Sequence, residues 1–376
     1  MPESKNYRVY FLLAALAVFV LIILLREHRP SFLRPDLHLN AYVSTSDGSL
    51  VVIDLASLRV INRIYAGPSI ADLREHATRP EIWGVSSTGG YLFVLDTRSN
   101  QLDKIPVGPS PLELDFSADG KRVYTTSASA NQLVAINTAS RSIAGRAATE
   151  GEPVQSRITP DQKTIVVVNR QSSTLTLHDA TTLQLRASVP VIAQPDAVEI
   201  LPDSSVAFVM SRSQNRLSVV DLKRAVLLAN LELAGRPSQM LLKPDGGELY
   251  VLSPEAHVLQ AINTWTHEVG DTLLLGDFPA SAILTEDASE MYVADRSAAH
   301  ILPVDIVNRR VGKPINVGAS PGAMRFDLSG PDTKPRMLLV TDDSSGDIAV
   351  LRTRNDSLLT LIPIGAQPQR LAVKLF

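Results

Sequence analysis

Gly235 to Gly276 reads GRPSQMLLKPDGGELYVLSPEAHVLQAINTWTHEVGDTLLLG. It opens with Gly235-Arg-Pro237 and a short apolar run, Gln239 to Leu242. A Lys243-Pro-Asp-Gly246 turn follows, then three further runs: Glu248 to Leu252, Val258 to Asn263 and Val269 to Leu275. Apolar runs of this length, broken by Pro, Asp and Gly, predict four short β-strands joined by tight turns.

The unit recurs in phase. Its opening prolines stand at Pro111, Pro153, Pro195, Pro237, Pro279 and Pro321, in steps of 42 residues. The turn aspartates Asp119, Asp161, Asp203, Asp245 and Asp287 keep that step. A strand-centre series runs Tyr42, Trp83, Tyr124, Val166, Phe208, Tyr250, Tyr292, and then Leu339 after an insertion in Leu328 to Pro335. A third series closes the third strand: Asp54, Asp96, Asn137, Asp179, Asp221, Asn263, Asp305 and Arg352. Asp or Asn there is expected to cap the next turn through nearby backbone N–H groups.

Four strands in about 40 residues, repeated, predict an all-β propeller. Eight series members give eight blades; seven is the alternative if the weaker second unit is misread. The repeat begins at a second strand, Asn40 to Ser44, and finishes on a first strand, Arg370 to Phe376. Pairing the two would close the ring and remove open sheet edges.

Pro111 to Tyr124, with Ser117-Ala-Asp-Gly-Lys-Arg-Val-Tyr124 at its end, resembles the YVTN-repeat β-propeller family, as do Gln132 to Thr138, Lys243 to Gly246 with Leu249-Tyr-Val251, and Leu217 to Leu222. The resemblance spans most of the chain and implies the fold. Its relatives include lactonase-like enzymes, a haem-binding domain and non-catalytic surface proteins, so it does not select an activity. WD40 repeats fit less well because no Gly-His and Trp-Asp pair recurs. Quinoprotein propellers also fit less well, because neither of the two tryptophans repeats.

Ahead of the repeat, a short tail (residues 1–8) leads into Val9 to Leu25, 17 residues without a charge and flanked by Lys5, Arg8, Arg26 and Arg29. That length reaches the short end of the spanning range, and basic flanks can snorkel to headgroups. No small-x-small cleavage site follows Leu25, so a single-pass signal anchor is expected. Residues 26–39, with Pro30 and Pro35, form a stiff linker, and residues 40–376 form the propeller, expected on the extracytoplasmic side. Cysteine is absent, which excludes disulfides and thiol chemistry. Setting aside the residues before Asn40, with five Lys/Arg and three Asp/Glu, moves the net charge from −3 to −5. A nucleic-acid partner is not expected of an acidic domain.

Counted from each opening proline, positions three and five are mainly apolar and positions two and four are often charged or polar. Strand alternation turns the second set toward the central channel. It contains Arg74, Glu113, Arg157, Glu199, Arg325 and Arg370, with Asp72 and Asp115 beside them. Arg170, Arg212 and Arg296 hold equivalent places in loops between second and third strands. These nine residues are the candidate ligand site, a channel mouth where arginines hold an anionic or carbohydrate-like ligand. Structural pairing of the same acids and arginines between blades is the competing expectation. The seven histidines are scattered and are expected to be polar turn residues; no metal or other cofactor is expected. The function expected is a non-catalytic propeller binding a protein, glycan or envelope component. The alternative is a lactonase-like hydrolase working at the channel mouth.

Overall fold

The computed structural model describes residues 39–327 and 336–375. The anchor Val9 to Leu25, most of the linker and the insertion Leu328 to Pro335 lie outside them. Among the described residues no helix is long and apolar enough to cross a membrane.

Eight antiparallel sheets form eight blades. Their innermost strands are Pro368–Leu375, Ile70–Glu75, Pro111–Phe116, Pro153–Ile158, Ala197–Ile200, Gln239–Leu242, Pro279–Leu284 and Pro321–Phe326. Each touches the next, and the eighth touches the first, so they form a closed ring around a channel. The first blade is composite: the C-terminal strand Pro368–Leu375 pairs with Leu39–Thr45, in register from Leu39↔Leu375 to Ser44↔Arg370. Leu39, expected in the linker, is therefore already in the sheet. The seventh blade has a broken outer strand, Arg310–Val311 and Ile315–Asn316, both pairing with His300–Asp305. Pro314 stands in the gap, where it has no N–H to give to a ladder.

The strand-centre series forms the packing between blades. Tyr42, Trp83, Tyr124, Val166, Phe208, Tyr250, Tyr292 and Leu339 are all buried. They join apolar clusters that run from one blade into its neighbour: Tyr42 packs with Ile82 and Phe93, Trp83 with Leu114 and Val123. Burying an aromatic on this scale stabilises only if its polar tip finds a partner. Trp83 Nε1 donates to Glu81 at 2.9 Å, Tyr124 Oη to the Ala180 carbonyl at 3.3 Å and Tyr292 Oη to Asp356 at 2.8 Å. The last two bonds reach the following blade. Burial drives the Tyr42 hydroxyl up to about 12.

The third-strand series caps as expected. Asp96 accepts from the Arg98 and Ser99 amides, Asn137 from Ala139 and Ser140, Asp221 from Lys223 and Arg224. The turn aspartates do likewise, Asp161 accepting from Lys163 N and Asp245 from Gly247 N.

A second device fixes the turns that enter each inner strand. The last residue of the second strand grips the entering turn. Ser86, Ser127 and Ser253 donate to the carbonyls of Pro68, Pro109 and Gly235. Asp295 and Asp342 instead accept amides, Phe278 N for the first and Ala319 N and Ser320 N for the second. The carboxylate needs room: Gly318 lies at φ +148°, and a Cβ there would fall 1.8 Å from Asp342 Oδ2. Only glycine fits that turn.

Candidate functional site

Inner strands start at one face of the ring, called here the upper face, and end at the lower face. Arg170, Arg212 and Arg296 lie at the upper face, where the Arg170 and Arg296 amides donate to the Glu152 and Phe278 carbonyls of the entering turns.

The channel wall of the second to fourth blades is a lattice of charges. Arg74 Nε lies 3.1 Å from Asp72 Oδ2 and its Nη1 3.7 Å from Asp115 Oδ1. Arg157 reaches the same Asp115 oxygen at 3.6 Å and Glu113 at 3.7 Å. Gln155 Nε2 donates to Glu113 at 2.7 Å. The three blades are also stitched to the next backbone along the ring. Asp72 Oδ2 accepts from Leu114 N at 3.2 Å, Asp115 Oδ2 from Ile158 N at 2.9 Å and Gln155 Oε1 from Val198 N at 2.7 Å. The bonds to Asp72 and Asp115 are charge-assisted, stronger than neutral ones, and fix geometry. The arginine gains most: Asp72, Asp115 and Glu113 raise the Arg74 guanidinium further above its ordinary value against the cost of its burial.

Glu199, on the fifth blade, is different. Among the described residues its carboxyl makes no hydrogen bond or ion pair, although its backbone is in the strand ladder opposite Phe208. Burial raises its carboxyl above the ordinary glutamate value, and Glu113 and Asp115 push the same way. Arg157 and Arg74 oppose the rise from beyond contact distance.

Sparse polarity marks the remaining wall. On the sixth blade Gln239 exchanges two bonds with Ala282, donating to its carbonyl at 3.0 Å and accepting from its amide at 2.8 Å. Ser281 donates to the Gly322 carbonyl at 2.6 Å. Around the eighth and first blades the wall is Gly322, Ala323, Arg325 and Arg370, and two cavities open beside it, the lower one reaching the second and third blades. A lower one of about 580 Å³ is lined by residues including Arg74, Glu75, Phe116, Met324, Arg325 and Arg370. An upper one of about 410 Å³ is lined by residues including Ser281, Arg296, Ala323, Asp343, Gln369 and Arg370.

The remaining candidates fall into two groups. Arg325 is paired with Glu75 across the lower cavity. Arg170 bridges Glu152 at 3.3 Å and Asp196 at 2.6 Å; Arg212 takes the other Asp196 oxygen through its backbone amide at 2.6 Å. Arg296 donates to Ser320 Oγ at 2.8 Å and is paired with Asp343. Only Arg370, of the candidate arginines, has no carboxylate within ion-pair distance among the described residues. Its Nε donates to the Ala71 carbonyl at 2.9 Å.

The nine candidates therefore do not converge on one site. Arg74, Glu113 and Arg157 meet in the lattice, with Glu199 near it. Arg325 and Arg370 line cavities, Arg296 lines the upper one, and Arg170 and Arg212 brace the rim between blades. Sequence reading passed over Asp343, Glu75 and Asp196. Asp343 had a signal: allowing for the insertion, it continues the loop series Arg170, Arg212, Arg296 with the opposite charge. Two histidines depart from expectation. His76 is buried, its Nε2 2.9 Å from the Gly120 carbonyl, while Nδ1 accepts from Thr78 N and Arg79 N. His178 is buried in a third strand against Leu183 O and Thr176 Oγ1. Both are core groups, and burial lowers both imidazoles below their ordinary value. Among the described residues no cluster of three or more His, Asp or Glu is arranged to hold a metal ion.

No family model matches the chain, and no curated protein matches it. Solved structures do. The dihydro-heme d1 dehydrogenase NirN, in complex with DHE, superposes with a TM-score of 0.70 at 16% identity, covering 92% of this chain and 77% of that one. AztD from Citrobacter koseri gives 0.68 at 11% identity, covering 90% and 98%. Kuenenia stuttgartiensis hydrazine synthase gives 0.60 at 15% identity, covering 77% and 97%. At such identities the likeness is one of fold: this chain is similar to these proteins in being a β-propeller.

Proposed function

We propose that the chain is a membrane-tethered, extracytoplasmic propeller that binds its ligand without transforming it. The ligand is a protein or an envelope glycan, met at the mouths of the central channel. The observation that carries this reading is the division of the channel wall. Asp72, Arg74, Glu113, Asp115 and Arg157 engage one another and the neighbouring backbone, which suits a scaffold even where Asp72, Arg74 and Asp115 border the lower cavity, while Arg296, Arg325 and Arg370 border the open space of the mouths. Binding sites are concave, and both mouths are concave; their linings are rich in charged groups, which suits a polar ligand. A similar fold that was solved with DHE bound supports a propeller that holds a ligand. Val9 to Leu25 supports the tether.

The test is capture of a partner from native membranes by the tagged full chain, beside the variant Arg296→Ala. Capture that the variant weakens supports the reading. Capture that is indifferent to Arg296 removes the mouth as its site, and a chain recovered entirely without alkali-resistant membrane association removes the tether.

A lactonase-like hydrolase has one observation in its favour. Glu199 is a channel carboxyl held toward its protonated form, as a general acid requires. Turnover of a γ-lactone series by the full chain, lost in Glu199→Gln, would decide for it.

A further inference from the structure

We infer that the upper mouth of the channel takes a small organic carboxylate, held by Arg370; this rests on the channel-mouth reading above. Arg370 is the candidate arginine without a carboxylate partner, and it is exposed to both cavities. It is nevertheless held in place. Its backbone amide donates to Ser44 Oγ at 3.1 Å and its Nε to the Ala71 carbonyl at 2.9 Å. Tethering one edge of the guanidinium leaves the two Nη groups as a fork, the geometry that grips a carboxylate with two parallel bonds. A prepositioned fork loses less freedom on binding than a loose side chain.

The surroundings select the class. The upper cavity is lined by two cations, Arg296 and Arg370, against one acid, Asp343. Arg296 is already paired with that acid, which leaves Arg370 as the one unmatched charge in the lining; Asp342 behind it is committed to backbone amides. Asp343 and the neighbouring Asp342 disfavour a second negative charge nearby: burial raises the Asp343 carboxyl and Asp342 pushes it the same way, against Arg296 and, from further off, Arg370. A monoanion fits this balance better than a phosphate dianion. The hydroxyl of Ser281 and the exposed Gln369 amide border the same space and can meet hydroxyl groups on the ligand. A cavity of about 410 Å³ lies in the range of small-molecule sites.

Isothermal titration of the full chain in detergent, with D-glucuronate, L-lactate, inorganic phosphate and D-glucose as probes, tests this. At least one carboxylate is expected to bind and glucose is not. Arg370→Ala should lose that binding at least tenfold. Arg370→Lys, which keeps a donor for the Ala71 carbonyl, should also weaken it and serves if the alanine variant fails to fold. Carboxylate binding unchanged in both variants overturns the assignment, and phosphate preferred over both carboxylates overturns the ligand class. If no probe binds while partner capture remains sensitive to Arg296, this inference fails and the channel-mouth reading stands. If neither is seen, both fail.

Discussion

Two stretches of one channel wall use arginine in opposite ways. Across the second to fourth blades, Arg74 and Arg157 share the Asp115 carboxylate, and the acids and Gln155 accept amides from the following strand. Across the eighth and first blades, Gly322 and Ala323 thin that lattice to one pair, Arg325 with Glu75, and Arg370 is fixed through its own Nε and left without a carboxylate. Cross-bracing between blades consumes polar side chains where the wall is dense. Where the wall is built from Gly322 and Ala323, the same residue type is left to face a cavity. A charged channel is thus no guide to a binding site until the charges are sorted by partner.

The contrast can be broken at several depths. Deleting residues 370–376 removes the inner strand of the composite blade, and with it Arg370 and the bond from Lys374 to the His76 carbonyl. Cooperative unfolding of the domain should be lost, as seen by calorimetry on the full-length and shortened chains; an unchanged melting profile would refute closure by that strand. Asp115→Ala should cost about 1–3 kcal/mol in denaturant unfolding, because it leaves the Ile158 amide unmatched and takes one carboxylate from Arg74 and Arg157, which keep Asp72 and Glu113. A loss under 1 kcal/mol would mean that the lattice is not structural.

Glu199→Gln should act in the other direction and only in a pH window. A carboxyl whose folded value lies above its unfolded value binds more protons in the native state. The wild type therefore loses stability as pH rises through the ordinary glutamate range toward the raised value. The variant, which cannot ionise, should melt higher than wild type at pH 7 and together with it near pH 3. A constant offset across pH would exclude this account. The smallest effect is expected at Arg370, where alanine should change stability by no more than about 0.5 kcal/mol, as at ordinary surface positions. A large loss would place Arg370 with the braces.

The ring was legible because the repeat forces each blade to solve the same problems. A residue must cap the third strand, which favours Asp or Asn at a fixed step. A bulky residue must fill the seam, which gives the series from Tyr42 to Leu339. Alternation also placed the polar set of the inner strands at the channel. The pairing of those polar groups was less accessible. Asp115 meets Ile158 N and Gln155 meets Val198 N, each 43 residues on, so some braces follow the period. Arg325 with Glu75 spans two blades across the lower mouth and follows no period at all. Arg370 is free because Asp72, one blade further, is already committed to Arg74 and Leu114 N. Such competition depends on which side chain reaches first in three dimensions, and a linear pattern does not encode it. Burial of His76 and His178 was hidden for a related reason: each replaces an apolar or polar residue at a single blade, outside any series.

The pairing of Leu39 with Leu375 also dictates an order of events. Seven blades are local, each finished within about forty residues of its start, and can form as the chain is made. The first cannot. Its middle strand, Leu39–Thr45, appears early and must wait for Pro368–Leu375, the last of the ring's strands to be made. Contacts so distant in sequence form slowly. Throughout the wait, the row of backbone N–H and C=O groups along Leu39–Thr45 is a template for any extended strand, including the same strand of another copy. The slow step in reaching the native ring should therefore be its final clasp. Destabilising substitutions in Pro368–Leu375 should raise aggregation during synthesis more than equally costly ones in the fourth or fifth blade.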